Sequence, residues 1–305
     1  MAGERSYTQG RFSVDVDGAN VGYLKSISGV GTLEAEIATH DLGPDKQQKK
    51  HVANTKWAPA KCEIGIGMGK SMYDWMKGSL DKKHIQKNGA VHLGDFDHKA
   101  MQSITWYGGL ITEVTVPKMS GDSKDAAYFT VGFEYEYAEW AKGGGESISA
   151  KMGPKQKNWL CSNYKLEIGG LPCERVASID SFSWKCTTKK DEVGSTASHR
   201  QTLHPAKITI PDLKLSISSA DKTIWADAAR AWFVGGNHGE AQEMTGRLVF
   251  LGPNMKDELG EINFMNVGFK KFAGSDLKGG DESVARFNVE LYCEQMEFKI
   301  KEFDQ

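Results

Sequence analysis

The chain has 305 residues, 39% hydrophobic and 26% charged, a balance that excludes a disordered chain and allows two domains of ordinary size. A formal net charge of −2 supplies no field to recruit nucleic acid or a membrane surface. The opening residues, Met1 to Ser6, lack an apolar run, so no signal peptide is expected, and no stretch is long and apolar enough to span a membrane.

Residues 12–18 alternate strictly, with Phe12, Val14 and Val16 on one face and a turn at Asp17-Gly18. This reads as a half-buried strand entering a hairpin, and residues 21–27 supply its second strand. Residues 43–50 are read as a long polar loop. Residues 61–68 form another strand, followed by a helix over 71–78 that puts Met72, Trp75 and Met76 on one face, with Ser71 as its N-cap. Strands at 104–107 and 110–116 follow. A closing strand at 128–137 places Phe129, Val131, Phe133, Tyr135 and Tyr137 on one face and Thr130, Glu134 and Glu136 on the other. The glycine- and serine-rich run at 142–154 reads as a flexible linker.

The pattern then starts again. Residues 164–170 repeat the first strand and turn about 152 residues on, with Leu166 and Ile168 in the apolar positions. Residues 173–179 repeat the second strand and its Ser-Ile pair. Residues 212–218 repeat the strand before the helix. Residues 221–232 repeat the helix, with Asp221 as N-cap and Ile224, Trp225, Ala228 and Trp232 on one face. Strands at 262–265, 267–272 and 286–296 close the second half, the last carrying Phe287, Val289 and Leu291. The expectation is a tandem duplication: domain 1 over 1–141, a linker over 142–157 and domain 2 over 158–305.

Candidate chemistry is sparse. His92, Asp95, Asp97 and His98 fit no standard zinc spacing, and Gly94-Asp95 reads as a turn. His199 and His204 are placed in a polar loop before Pro205. Gly69-Lys70-Ser71 mimics the end of a phosphate loop, but the first glycine of that motif would fall at Ile64. Five cysteines (Cys62, Cys161, Cys173, Cys186, Cys293), odd in number and without a CxxC, suit a reduced cytoplasmic protein rather than a disulfide framework or zinc ribbon. No catalytic, metal or cofactor residues are assigned, and an enzyme is not expected.

In order, the first half presents an F-x-V-x-V-x-G strand at 12–18, then Ile27-Ser28-Gly29-Val30, Pro59 through Ile66, Met72-Tyr73-Asp74-Trp75, Trp106 through Leu110, and the closing strand from Tyr128 to Tyr137. In this order it resembles the tail-tube proteins of contractile phage tails and contractile injection systems over nearly its whole length. The second half keeps the strand pattern and Trp225 with weaker identity.

The resemblance implies a mainly β fold of two tandem tail-tube-like β-sandwich or β-barrel domains, each with one short flanking helix. It implies homo-oligomeric rings that stack into a tube, with sheath and baseplate proteins as partners and DNA or a protein cargo in the lumen. The family's usual member has one domain and forms hexamers. Two domains per chain favour a trimer with pseudo-sixfold symmetry over a hexamer. It also implies synthesis in the cytoplasm and assembly into a virion tail or injection particle. The assembly residues expected on this basis are Phe12, Val14, Val16, Phe129, Val131, Phe133, Tyr135, Leu166, Ile168, Phe287, Val289 and Leu291 on strands, with Pro44, Asp45, Lys46 and Gln47 on the loop. The alternatives are an adaptor or tube-terminating ring, and a monomeric β-sandwich binding module such as an adhesin or carbohydrate binder.

Overall fold

A computed structural model describes residues 10–42, 47–148, 159–192, 201–274 and 284–303. The chain is mainly β, with two α-helices among the described residues. The first half runs β1 (Phe12–Val16), β2 (Ala19–Asn20), β3 (Leu24–Ser28), β4 (Leu33–Leu42), β5 (Gln47–Trp57), β6 (Ala60–Ile64), α1 (Lys70–Leu80), β7 (Lys87–Gly94), β8 (Ala100–Val116), β9 (Met119–Ser120), β10 (Phe129–Glu134) and β11 (Tyr137–Lys142). The second runs β12 (Tyr164–Ile168), β13 (Val176–Ile179), β14 (Phe182–Glu192), β15 (Gln201–Thr209), β16 (Leu213–Ser218), α2 (Lys222–Phe233), β17 (Met244–Leu251), β18 (Glu258–Gly274) and β19 (Arg286–Ile300).

The halves repeat one pairing scheme. In the first, β1, β7, β8, β10, β6 and β3 are neighbours in that order; in the second, β12, β17, β18, β19, β16 and β13 are. Irregularities recur too. The β3–β6 pair shifts register between Leu24 and Ser26, and β13–β16 shifts between Val176 and Ser178. A bulge on β8 opposite Gly132/Phe133 has its counterpart on β18 between Phe269 and Lys271. A bulge inserts one unpaired residue and sharpens the local twist, so both sheets bend at the same point.

The alternating strands bury the face that their periodicity indicates. Val14, Val16, Phe129, Val131, Phe133, Leu166, Ile168, Phe287, Val289 and Leu291 are all buried. Both helices lay their tryptophans inward: Trp75 and Trp225 are fully buried. One apolar core runs through both halves.

Several expectations need correction. Ser71 lies inside α1, whose N-cap is Gly69; the strand geometry of Gly69 ends where its amide donates to the Val21 carbonyl at 2.8 Å. Asp221 does precede α2, but its carboxylate takes Arg175 at 3.1 Å and makes no cap hydrogen bond. Gln47 to Lys50 belong to β5 rather than to a loop, and His204 is an exposed residue of β15. Positions 43–46 and His199 lie outside the described residues. The run read as a linker begins against the sheet. Gly143 and Gly145 donate to the Met101 and Ala100 carbonyls at 2.8 and 2.9 Å, and Ile148 is buried. Residues 149–158 are outside the description.

Candidate assembly interface

The two halves exchange strands. β8 spends residues 100–109 on β7, which leaves one side of its last residues without that neighbour. β14 fills the gap: Phe182, Ser183, Trp184 and Lys185 pair with Val116, Thr115, Val114 and Glu113. In return β9 crosses to the second sheet, where Met119 and Ser120 pair with Ile179 and Ser178. An unpaired strand edge is a template for another strand, and here each half caps an edge of the other.

Side chains tighten this seam. The hydroxyls of Thr115 and Ser183 lie 2.7 Å apart. Lys185 sits 3.3 Å from Glu113, and the Thr188 hydroxyl donates to Glu134 at 2.6 Å. Gln201, buried in β15, donates to the Thr55 carbonyl at 3.3 Å, so the β14–β15 hairpin also touches β5.

Beneath the strands lies an aromatic layer. The Phe298 ring stands 5.7 Å from Tyr73 of α1 and 5.3 Å from Phe129 of β10. Phe129 also meets Trp159 at 5.0 Å and Phe250 at 5.6 Å, edge-on to the latter. The Tyr73 hydroxyl donates to the Phe298 carbonyl at 3.3 Å. Tilted and edge-on rings at these spacings add to the gain from area burial. The void left at the seam, between Met76, Val114 and Phe129 on one side and Trp184, Ile262 and Phe298 on the other, is only about 10 Å³. The interface is packed close to the density of a protein interior, its void no larger than about one water and lined by apolar side chains.

Of the residues expected to carry assembly, Phe129 is at the seam. Val14, Val16, Val131, Phe133, Tyr135, Leu166, Ile168, Phe287, Val289 and Leu291 have side chains buried in the chain's own core, and Phe12 is half-buried. Pro44, Asp45 and Lys46 lie outside the described residues, and of Gln47 only the strand backbone is described. Sequence reading missed β4, β5, β7, β14, β15 and β17, and with them Trp184 and the Thr115–Ser183 contact.

The chemistry of the site is apolar burial and backbone pairing. Among the described residues no group of three or more His, Cys, Asp and Glu side chains could hold a metal ion. Burial pushes the Cys62 and Cys293 thiols up to about 12 and Cys173 up to about 11, the reverse of an activated nucleophile. No helix among the described residues is long and apolar enough to cross a membrane.

Residues 8–139 match the family model described as T4-like virus tail tube protein gp19. That segment, less than half of the chain, is similar to T4-like tail tube proteins. It ends within β11, and residues 140–305 lie beyond the match. No curated protein is similar enough in sequence to match. Among solved structures, the tube-terminating cap of the anti-feeding prophage overlaps with a TM-score of 0.40 at 16% identity, covering 47% of this chain and 95% of that one. A chain from the sheath-tube complex of an extracellular contractile injection system, PVC, overlaps at 0.40 and 16%, covering 46% and 93%. Hcp1 from Flavobacterium johnsoniae overlaps at 0.28 and 12%, covering 44% and 95%. These overlaps are too loose to assign a role; the tail tube likeness stands on the sequence match over residues 8–139.

Proposed function

We propose that the chain is a structural component of a phage-tail-like tube, built from two tail-tube-like domains over 1–141 and 158–305 with a linker between. The observation that carries this reading is the β8–β14 exchange beside the tail tube match. A strand edge of the matched domain is completed by a strand of the second half, in the way that adjacent subunits of a closed ring complete one another. Three chains supply six such domains, so a trimeric ring with pseudo-sixfold symmetry is the assembly this layout favours. The rings stack, a sheath and a baseplate are the outer partners, and DNA or a protein cargo fills the channel inside a virion tail or injection particle. The role is architectural, and the five cysteines and eight histidines take no catalytic part in it.

Purified protein imaged by negative-stain electron microscopy, with light-scattering mass alongside, tests the reading. Rings or stacked tubes with a central hole are expected, at the mass of three 33.6 kDa chains per ring. A ring of six chains would keep the tube and replace the trimer, with the second half decorating the outside. A chain that is monomeric at every concentration moves the reading to a β-sandwich binding module.

A further inference from the structure

The ribbon β4–β5 carries two histidines that the fold brings together. Ala38 lies opposite His51 and His40 opposite Lys49, so His40 and His51 are diagonal neighbours on one face of the ribbon. Both are exposed. Their rings stack, 11° from parallel with centroids 4.7 Å apart, and their Nε2 atoms stand 3.3 Å from one another. A neutral imidazole has one N–H and one bare nitrogen, so one Nε2 donates to the other. Three other histidines keep different company. His92 faces Asp15 at 3.3 Å, His84 stands 4.0 Å from the Cys186 sulfur, and His238 Nδ1 lies 3.1 Å from the Trp232 carbonyl oxygen.

The spacing of the two nitrogens is that of a chelate. Imidazole nitrogens about 2.0–2.1 Å from a tetrahedral divalent cation are about 3.3 Å apart. A square-planar cation at the same bond lengths puts them about 2.9 Å apart. To aim both lone pairs at one ion, each ring turns about its Cβ–Cγ bond, a broad torsion at an exposed side chain. The ion then replaces the shared hydrogen, and each imidazole keeps its proton on Nδ1. Two protein ligands leave the remaining positions to water, so such a site exchanges its metal readily, unlike a closed structural centre. Lys49, opposite His40, puts a positive charge on the same face and limits the affinity.

We propose that His40 and His51 chelate a divalent cation of the zinc, copper or nickel class and so clip β4 to β5. Imidazole suits these ions, whereas magnesium and calcium prefer oxygen. The outer part of the ribbon is where a clip is useful. The bonds between Tyr135 and Gly29 and Gly31, and from Gln201 to the Thr55 carbonyl, hold its base. His40 and His51 lie further along, past the register shift between Ala35 and Ile37. No third strand pairs with β4–β5 among the described residues, and a lone two-stranded ribbon is marginal in water. An ion that binds only the closed ribbon stabilises it by mass action. Both ligands come from one chain, so a single copy is enough to form the chelate.

Calorimetric titration of the full chain, free of any affinity tag, with zinc chloride tests this. Wild type should take one zinc per chain. His40→Asn and His51→Asn should each weaken binding by at least about tenfold, a loss that even an outer-shell change causes at a metal site. His204→Asn, at an exposed position of β15, should leave it unchanged, and Lys49→Ala should tighten it. Thermal unfolding of the zinc-free variants should match wild type, which separates lost binding from lost fold. Hydrogen exchange reads the clip itself. With zinc about a hundredfold above its dissociation constant, exchange through opening of residues 37–40 and 49–52 should slow about a hundredfold, and the His40→Asn, His51→Asn double variant should show no change. No saturable binding, equal binding by wild type and the double variant, or binding without added protection of those amides overturns the proposal. One zinc per two chains also overturns it, since two ribbons would then share the ion.

Discussion

The Tyr135 hydroxyl donates to the Gly29 carbonyl and accepts from the Gly31 amide, each at 2.9 Å. One side chain thus ties the break between β10 and β11, where the closing strand expected at 128–137 is interrupted, to the base of the β4–β5 hairpin. The ring is buried, and burial raises the pKa of its phenol. Tyr135→Phe keeps the ring and leaves two backbone groups without this partner. It should lower stability by about 1–3 kcal/mol, read as a lower denaturant midpoint. A midpoint equal to wild type would show that the tie is worthless.

Gly29 has φ +83°, and a Cβ placed there would lie 2.3 Å from the Pro59 carbonyl oxygen. Both the backbone conformation and the close approach require glycine. Gly29→Ala should cost at least about 1–3 kcal/mol and displace the start of β4. Thermal unfolding measures the cost; hydrogen exchange at residues 30–33 reports the displacement.

Phe298→Ala removes the ring that covers Tyr73 and Phe129. Truncating a fully buried phenylalanine costs about 3–5 kcal/mol. Because the cavity opens between the halves, proteolysis should cut the variant between them faster than it cuts the wild type. Equal cleavage rates would mean that the seam holds without this layer.

Burial pushes the Glu261 carboxyl up, but the hydrogen bonds from Asn263 at 3.0 Å and Arg247 at 2.6 Å more than offset it, and its pKa lies below the usual 4.5. A carboxylate depressed in the folded state adds stability above its unfolded pKa and loses it as pH falls through the folded value. Glu261→Gln should therefore be less stable than wild type at pH 7, and the difference should shrink below pH 4.5. A constant difference across that window would rule out the charge as its source.

Native thiols should be inert at neutral pH. Cys62 and Cys293, with pKa values pushed to about 12 by burial, carry almost no thiolate there. Alkylation of the folded chain at pH 7.5 should leave both unmodified, with labelling only on unfolding. Rapid labelling of the native protein would mean that the core opens.

How far the fold could be read in advance depended on whether a strand has one wet face. β10, β12 and β19 alternate because one face is buried and the other is wetter, and Trp75 and Trp225 mark the helices for the same reason; β1 alternates in sequence although Ser13 and Asp15 on its polar face are buried as well. The hairpin strands β4 and β5 expose Ile37 and Val52 along with their charged neighbours, so no period-2 pattern survives. β7 went unread as a strand, and it carries Asn88-Gly89, a pair more common in tight turns. Gly89 sits in mid-strand because the Trp106 ring overlies it, 2.1 Å from where a Cβ would be. The seam was least legible. Thr115 and Ser183 meet across a sequence distance of 68 residues, and no local spacing encodes that contact.

The exchange of β9 and β14 also constrains the order of events on the ribosome. The first half emerges with the β8 edge uncovered and α1 lacking Phe298, and both wait for residues made much later. Long-range pairing of this kind is slow, and an open edge on a nascent chain can take the wrong strand. The nascent chain's own second half arrives tethered, at a high effective concentration, and so outcompetes the edges of neighbouring molecules.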